Sequence, residues 1–460
     1  MSWPDVRRGK LTASQGKLEQ MKDYFLITHS DFVCYVACPT RPAPPNDSMP
    51  EYYDSLEILD PGERERSLMA ALPGHLAHAK RNAPGWARVL ADVDPTAITD
   101  RASLATLPVT RKADLVALQR VAPPFGELNA VPKSEVGRIF VSPGPIYDPG
   151  GGSPDWWRTA RALFAAGFRS GDVALNTFAY HFTPAGAMLE SGALALGCAV
   201  VPAGVGQTEM QVATIAQLRA NAYIGTPSFL KLIVEKADEL GADIACLEKA
   251  AVGAEYLPPA LRSACAERGI RVLQSYASAD LGLIAYESEA LEGMILGEEL
   301  VLEIVRVGTG EPLPAGEIGE VVVTSFNRDY PLIRFGTGDL SAVLPGASPC
   351  GRTNTRIRGW MGRADQATKV KGMFVHPAQV AEIVRHHPEI VKARLVVDNP
   401  GGNDRMTLHC EVRGEPAGGL ARAIADSLRS ATKLRGEVAF TRPGGLPNDG
   451  KVIEDAKKYG

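Results

Sequence analysis

Hydrophobic and polar positions change rhythm along this chain. Across residues 60–114 apolar residues recur at helical spacing, as in Leu68, Leu72 and Leu76 or Trp86, Val89 and Leu90, so this stretch is expected to be helical and to pack as a flank on the middle of the chain. Between residues 136 and 277 short β-branched runs alternate with helix-length amphipathic segments. The runs lie at 139–141, 173–175, 199–201, 223–224, 251–252 and 272–273, and helical patterns fill the gaps at about 155–168, 183–196, 208–220, 228–240 and 257–268. Such alternation predicts a mostly parallel sheet covered on both faces.

Downstream of Leu281 the pattern shortens to hairpins, with strands at 299–305 and 319–324 separated by Gly/Pro-rich turns. After a loop at 346–355 the last hundred or so residues mix helices around 377–386 and 419–434 with strands at 394–397 and 407–412, which predicts a small α+β domain. Residues 1–48 read unlike the rest. Thr40-Arg41-Pro42-Ala43-Pro44-Pro45-Asn46-Asp47 is a Pro-rich polar linker followed by a second Met at 49, so this leader is expected to be disordered or to lie outside the working protein.

The chain has 460 residues, 45% hydrophobic and 22% charged, with 49 Lys+Arg against 53 Asp+Glu for a formal net charge of −4. That balance excludes a nucleic-acid polymer as the main partner, because phosphate neutralisation needs a cationic excess or a basic stripe. The seven cysteines, at 34, 38, 198, 246, 265, 350 and 410, lack the paired spacing of a zinc site or a secreted disulfide framework, so a reducing cytoplasm is the expected location. The longest nearly apolar stretch, 192–206, is interrupted by Cys198 and Pro202 and is shorter than the roughly 20 residues that cross a bilayer, so no membrane partner is expected. The N-terminus shows no cationic run leading into an apolar segment with a small-residue cleavage site, which disfavours secretion.

No Gly-x-x-x-x-Gly-Lys-Ser/Thr loop, His-Glu-x-x-His or Gly-x-Ser-x-Gly elbow is present. An ordered series of segments stands out instead: Tyr330-Pro331-Leu332-Ile333-Arg334-Phe335-Gly336-Thr337-Gly338-Asp339-Leu340, then Gly362-Arg363-Ala364-Asp365, then Leu446-Pro447-Asn448-Asp449-Gly450-Lys451. Before them come Leu107-Pro108-Val109-Thr110-Arg111-Lys112-Ala113-Asp114-Leu115, Val201-Pro202-Ala203-Gly204, Gly225-Thr226-Pro227-Ser228-Phe229 and Gly253-Ala254-Glu255. From about Tyr52 to the C-terminus the series resembles the adenylate-forming superfamily and, within it, the phenylacetate-CoA ligase family. The resemblance implies an α/β fold: a large multi-layer N-terminal adenylation domain with parallel sheets and a small antiparallel β subdomain, 49–364, and a small mobile α+β C-terminal lid, 365–460. It further implies ATP, Mg²⁺ and CoA, with an aromatic or otherwise hydrophobic carboxylic acid as substrate; a homodimer is left open.

Elementary chemistry assigns the same residues. Adenylation brings a carboxylate onto the α-phosphorus of ATP, two anions that repel, so cations and donors must meet the charge that builds on the phosphoryl oxygens. Lys451, on a Gly-containing turn near the chain end, suits that task in one orientation of a mobile lid; the plain alternative is an exposed lysine in a frayed tail. Asp339 can accept two hydrogen bonds from ribose hydroxyls, the alternative being an Asp that caps a turn. By resemblance Arg363 approaches the nucleotide, Asp365 is the hinge, and Lys371 and Gly372 in Lys369-Val370-Lys371-Gly372-Met373-Phe374 meet CoA. Alternating cations on a solvent-facing strand explain those lysines as well. Gly253, Ala254, Glu255, Tyr276 and Ala277 are expected around the nucleotide, and Tyr180, His181 and Phe182 around the acyl group. His181 is read as a wall, because an ionised carboxylate needs no general base.

Two segments depart from the family. Its phosphate loop, a Ser/Thr-Gly-rich run resembling Ser-Ser-Gly-Thr-Thr-Gly-Lys-Pro, falls at Val141-Ser142-Pro143-Gly144-Pro145-Ile146-Tyr147-Asp148-Pro149-Gly150, where three prolines donate no N–H, the threonines and lysine are missing, and Asp148 adds negative charge. Ser142 and Gly144 are the cofactor-binding candidates that remain there. In Tyr276-Ala277-Ser278-Ala279-Asp280 the family has Tyr-Gly-x-Ser/Thr-Glu; Asp280 keeps a carboxylate for Mg²⁺ on a shorter side chain, and Ala279 has no hydroxyl. Gly336 also replaces an expected arginine. An AMP-forming carboxylate-CoA ligase with a rebuilt phosphate loop is the first expectation. The others are a non-catalytic nucleotide- or acyl-adenylate-binding relative and an adenylating enzyme with an acceptor other than CoA.

Overall fold

The short apolar runs at 173–175, 199–201, 223–224 and 251–252 become strands, each followed by a helix that covers the sheet. In the computed structural model the strands β1 (Val173–Asn176), β2 (Ala199–Pro202), β3 (Ala222–Gly225), β4 (Lys249–Val252) and β5 (Arg271–Ser278) pair in parallel. The helices α1 (Ala185–Ala195), α2 (Thr208–Leu218), α3 (Pro227–Leu240) and α4 (Pro259–Glu267) connect them in turn. The first expected helix is shorter, Ala160–Ala165, because the Asp155 carboxylate accepts from the N–H groups of Thr159 (2.7 Å) and Ala160 (3.0 Å) and sets a late start.

The parallel sheet continues as antiparallel strands. β6 (Gly282–Tyr286) turns back on β5, and β7 (Met294–Leu296), Arg356–Ile357 and Val343–Leu344 complete nine strands in the order Val343–Leu344, Arg356–Ile357, β7, β6, β5, β4, β3, β1, β2. A second sheet holds β8 (Leu300–Val305), β9 (Gly319–Ser325) and β10 (Leu332–Ser341), with the two residues Thr110–Arg111 paired in parallel to β10. That small strand corrects the all-helical expectation for 60–114. Helices do cover Pro61–Asn82, Pro84–Val89 and Arg101–Ala105, but Pro108 cannot continue a helix and the chain extends after it. The helical flank docks through fully buried Trp86, whose indole N–H donates to the carbonyl of Pro331 at 2.7 Å. Burying a side chain of that size stabilises the fold by about 2–3 kcal/mol.

The chain divides into two units, Met1–Glu51 and Tyr52–Gly460. The structure describes residues 24–29, 32–37 and 52–457, apart from 143, 371–372, 401–403 and 449–450. Of the leader it describes a backbone hairpin, Tyr24–His29 antiparallel to Phe32–Ala37; the rest of the leader lies outside the described residues. The expected body and lid both fall within the second unit. Toward its C-terminus a four-stranded sheet, Glu437–Thr441, Arg405–Val412, Ile390–Asp398 and Ile453–Asp455 in spatial order, is covered by the helices Pro377–His386 and Leu420–Thr432. These elements share a core of their own, including Val380, Ile383, Leu395, Leu408, Ile424 and Leu428. Among the described residues no helix is long and apolar enough to cross a membrane.

Candidate active site

Parallel strands leave their C-terminal ends facing a common crevice, and ligands of open α/β sheets bind there. Gly225, Gly253 and Tyr276 sit at those ends on β3, after β4 and on β5. A cavity of about 620 Å³ opens beside them, lined by Ala254, Glu255, Gln274, Tyr276, Asp339 and Trp360 among others. Ala277 lines it too. Ala254 holds φ 65°, the left-handed region that non-glycine residues seldom adopt, so the turn after β4 is strained where it meets the cavity. The Gly253 N–H bonds the Gly225 carbonyl at 3.2 Å and ties the two strand ends together. Glu255 accepts from the Ser228 N–H at 3.2 Å.

Asp339 lies near the end of β10 with its side chain 16% exposed and its carboxylate almost fully engaged. Oδ2 accepts from the Tyr276 hydroxyl at 2.9 Å; Oδ1 accepts from the Trp360 indole N–H at 3.0 Å and from Arg363 Nη1 at 3.3 Å. The Tyr276 phenol is held well above its usual range, first by burial and then by the Asp339 charge. Gly338, at φ 74°, clears the way: a Cβ there would lie 2.8 Å from Arg363 Nη2. Arg363 also meets Asp365, Nε to Oδ1 at 3.5 Å, with the Asp365 side chain 71% exposed. The sequence brought Asp339, Tyr276 and Arg363 forward. Trp360 carried no signal beyond its place two residues before Gly362-Arg363.

The phosphate side is rebuilt as a hairpin. Arg138–Ser142 pairs antiparallel with Ile146–Gly150, Ser142 opposite Ile146. Gly144 sits exposed in the turn. The Ser142 hydroxyl donates inward to Asp148 Oδ2 at 2.7 Å. Fully buried Asp148 is joined by Asp280, whose buried carboxylate pairs with Lys112 Nζ at 2.5 Å. Asp148 is pushed up to about 8, by burial first and by the Asp280 charge second. Burial pulls the Lys112 ammonium down, but Asp280, Asp148 and Asp339 more than offset it and the net shift is upward. Among the described residues no N–H or hydroxyl donor reaches Asp148 Oδ1 or Asp280 Oδ1, and the buried Tyr330 hydroxyl makes no hydrogen bond. Among the described residues no group of three or more His, Cys, Asp and Glu is placed to hold a metal. Two carboxylates with unused oxygens nevertheless suit Mg²⁺, a hard cation that takes one or two carboxylates and fills its remaining positions with water and phosphate oxygens.

The space that a side chain at 336 would need is taken from the neighbouring strand. Gly336 pairs with Arg111, and a Cβ at 336 would lie 2.8 Å from Glu320 Oε1 and 3.3 Å from Arg111 Cγ. Arg111 Nε faces Glu320 Oε2 at 3.5 Å, so its side chain fills the space that a residue-336 side chain would need.

Tyr180, His181 and Phe182, expected around the acyl group, are not among the residues that line this cavity. The Tyr180 hydroxyl is held by Asn176 Nδ2 at 2.8 Å, and its pKa is raised by burial and then by a hydrogen bond with Glu190. Phe182 is 77% exposed at φ 60°. The Thr183 N–H bonds the His181 carbonyl at 2.7 Å within the turn, and Val141 on the strand Arg138–Ser142 donates its N–H to the Phe182 carbonyl at 2.8 Å. Lys371 and Gly372 lie outside the described residues, between the paired strands Thr368–Val370 and Met373–Val375. Lys451 is exposed just before the strand Ile453–Asp455, and the next residue, Val452, donates its N–H to Gln366 Oε1 at 2.8 Å.

Comparison with known proteins matches residues 156–327 to the AMP-binding enzyme family. The chain is 34% identical over 380 residues to the phenylacetate-coenzyme A ligase of Thermus thermophilus, covering 78% of this chain and 84% of that one. It is 31% identical over 400 residues to the enzyme of the same name from Aromatoleum evansii, covering 82% and 87%. Among solved structures, 2-hydroxyisobutyryl-CoA ligase in an open conformation with 2-HIB-AMP and CoA superposes with a TM-score of 0.78 at 22% identity, covering 90% of this chain and 96% of that one, which supports the fold. With the crevice, the Asp339 cluster and these long alignments in hand, the chain belongs to the phenylacetate-CoA ligase family of adenylate-forming enzymes.

Proposed function

We propose that this chain is an AMP-forming carboxylate-CoA ligase acting on an aromatic or similar hydrophobic acid. The observation that carries the proposal is the Asp339 carboxylate at the rim of the cavity, bonded by Tyr276, Trp360 and Arg363 and of the chemistry that accepts the vicinal hydroxyls of a ribose. Tyr276 and the turn Gly253-Ala254-Glu255 frame the base. An oxygen of the acid attacks the α-phosphorus of ATP; the new O–P bond forms as the bond to pyrophosphate breaks. Lys451 meets the charge that develops on those oxygens, which requires the lid to bring it in by rotation at Asp365. A second rotation withdraws it and presents the segment around Lys371 and Gly372 to CoA. The CoA thiolate then attacks the acyl carbonyl, and AMP leaves as the C–S bond forms.

Asp280 and Asp148 are the residues that would hold Mg²⁺, which neutralises triphosphate charge when bound. Lys112 would then release Asp280 and lend its ammonium to the phosphates, in place of the lysine missing from the loop. The test is ATP–pyrophosphate exchange with a panel of aryl and aliphatic acids. Exchange that depends on an acid and disappears in Lys451→Ala is expected. Nucleotide binding without exchange for any acid would overturn the ligase reading in favour of a binding relative. Product masses with and without CoA identify the acceptor.

A further inference from the structure

A ribose diol would over-subscribe Asp339. An ionised carboxylate has about four lone-pair positions, two on each oxygen. Oδ1 already accepts two donors, Trp360 Nε1 at 3.0 Å and Arg363 Nη1 at 3.3 Å, while Oδ2 accepts one, from Tyr276. A ribose diol bound across both oxygens brings two further donors. Oδ2 has room for one of them and Oδ1 has none, so one protein donor must leave.

The surroundings choose which. Arg363 is held from several sides: by a backbone bridge to Asp339, by the Thr337 carbonyl at 3.4 Å and by Asp365. Tyr276 is buried, and its hydroxyl also meets Thr337 Oγ1 at 3.3 Å. Trp360 is 48% exposed and lines the cavity. Its backbone is pinned on either side, since the Gly359 carbonyl accepts from Ser341 Oγ at 2.8 Å and the Met361 N–H bonds the Leu340 carbonyl at 2.9 Å. The indole can therefore move by side-chain rotation alone, and its N–H can pass to water.

We propose that Trp360 is a positioning residue that stands in for a ribose hydroxyl: its indole N–H occupies Asp339 Oδ1 in the free enzyme and is displaced by the nucleotide. The proposal rests on Asp339 being the ribose acceptor. It makes Trp360 a competitor of the substrate, so binding pays for one broken hydrogen bond, and it couples occupancy of the ribose site to the indole's position.

The experiment is calorimetric titration of the full chain with ATP and with 2′,3′-dideoxy-ATP, using the wild type, Trp360→Phe and Asp339→Asn. Phenylalanine keeps an aromatic ring and removes only the donor. Trp360→Phe is expected to bind ATP about three- to tenfold tighter, the worth of one hydrogen bond to a partly exposed charged group. It is expected to bind the dideoxy nucleotide as the wild type does, because nothing displaces the indole there. Wild-type tryptophan emission is expected to change with ATP and not with the dideoxy analogue, and Trp360→Phe to lose that change. Equal ATP affinity in the wild type and Trp360→Phe, or the same gain with both nucleotides, overturns the proposal provided Asp339→Asn weakens ATP. If Asp339→Asn binds ATP as the wild type does, the ribose assignment itself falls.

Discussion

Arg334, inside the Tyr-Pro-Leu-Ile-Arg run that marks the family, should be a structural and not a catalytic residue, and its removal should be costly. The side chain is 2% exposed and all five of its N–H donors find acceptors. Nε and Nη2 clasp Glu303 at 3.0 and 2.9 Å; the remaining donors reach the carbonyls of Ala105 (2.7 Å), Leu107 (2.5 Å) and Gly310 (2.8 Å). Arg334→Met leaves the Glu303 carboxylate, 5% exposed, without its counter-charge. Breaking a buried pair from one side costs about 3–5 kcal/mol. The residue sits in the body, 52–364, and for roughly 310 residues melting together the unfolding entropy is about 0.65 kcal/mol per degree, so the body's melting temperature should fall by about 5–8 °C. Replacing both partners, Arg334→Met with Glu303→Leu, removes the stranded charge and should recover most of the loss. Differential scanning calorimetry on the four proteins of the cycle measures the coupling. A single variant that melts within about 1 °C of the wild type, or strictly additive single effects, would refute the reasoning.

The other predictions concern single sites. Restoring the motif residue by Gly336→Arg should destabilise the protein by about 1–3 kcal/mol, because the space is taken by Arg111 and Glu320; Arg111→Ala in the same chain should relieve it, as thermal melting will show. His75 is pushed down to about 4, by burial first and then by the charge of His78, so it is neutral in the fold. The unfolded chain binds the extra proton between about pH 6.5 and 4, so stability should fall over that window as pH drops, by about 3 kcal/mol in all, and His75→Gln should flatten the decline. Lys451→Ala should leave the melting temperature within about 1 °C and reduce exchange by about 10²–10³-fold, the usual loss for one group that stabilises developing charge.

Local signals were legible because each could be read within a dozen residues. The helix Pro377–His386 lies where its apolar spacing and Pro start put it, and the parallel strands follow the β-branched runs. The prolines at 145 and 149 marked a segment unlike the family's phosphate loop, and its described residues pair as a hairpin, Arg138–Ser142 with Ile146–Gly150. What escaped the sequence depends on long-range partners. Lys112 and Asp280 are 168 positions apart, and nothing near either announces the other. Trp360 reads as one more apolar residue until the fold sets its indole against Asp339. In Phe178-Ala179-Tyr180-His181-Phe182 the exposed side chain of Phe182 could not be foreseen, because the backbone there is bonded by Val141, about 40 positions away.

Arg111 and Lys112 are consecutive, yet they answer to different sheets. Arg111 pairs with β10, the strand that carries Asp339, and reaches Glu320 on the next strand. Lys112 holds Asp280, in the turn between β5 and β6 of the larger sheet. Two adjacent cations thus act as a gauge block between the strand that carries Asp339 and the turn that carries Asp280, the two being tied across one peptide unit, about 3.8 Å from Cα to Cα. Lengthening that link by a single inserted residue would leave both sheets intact and detune the distance between them.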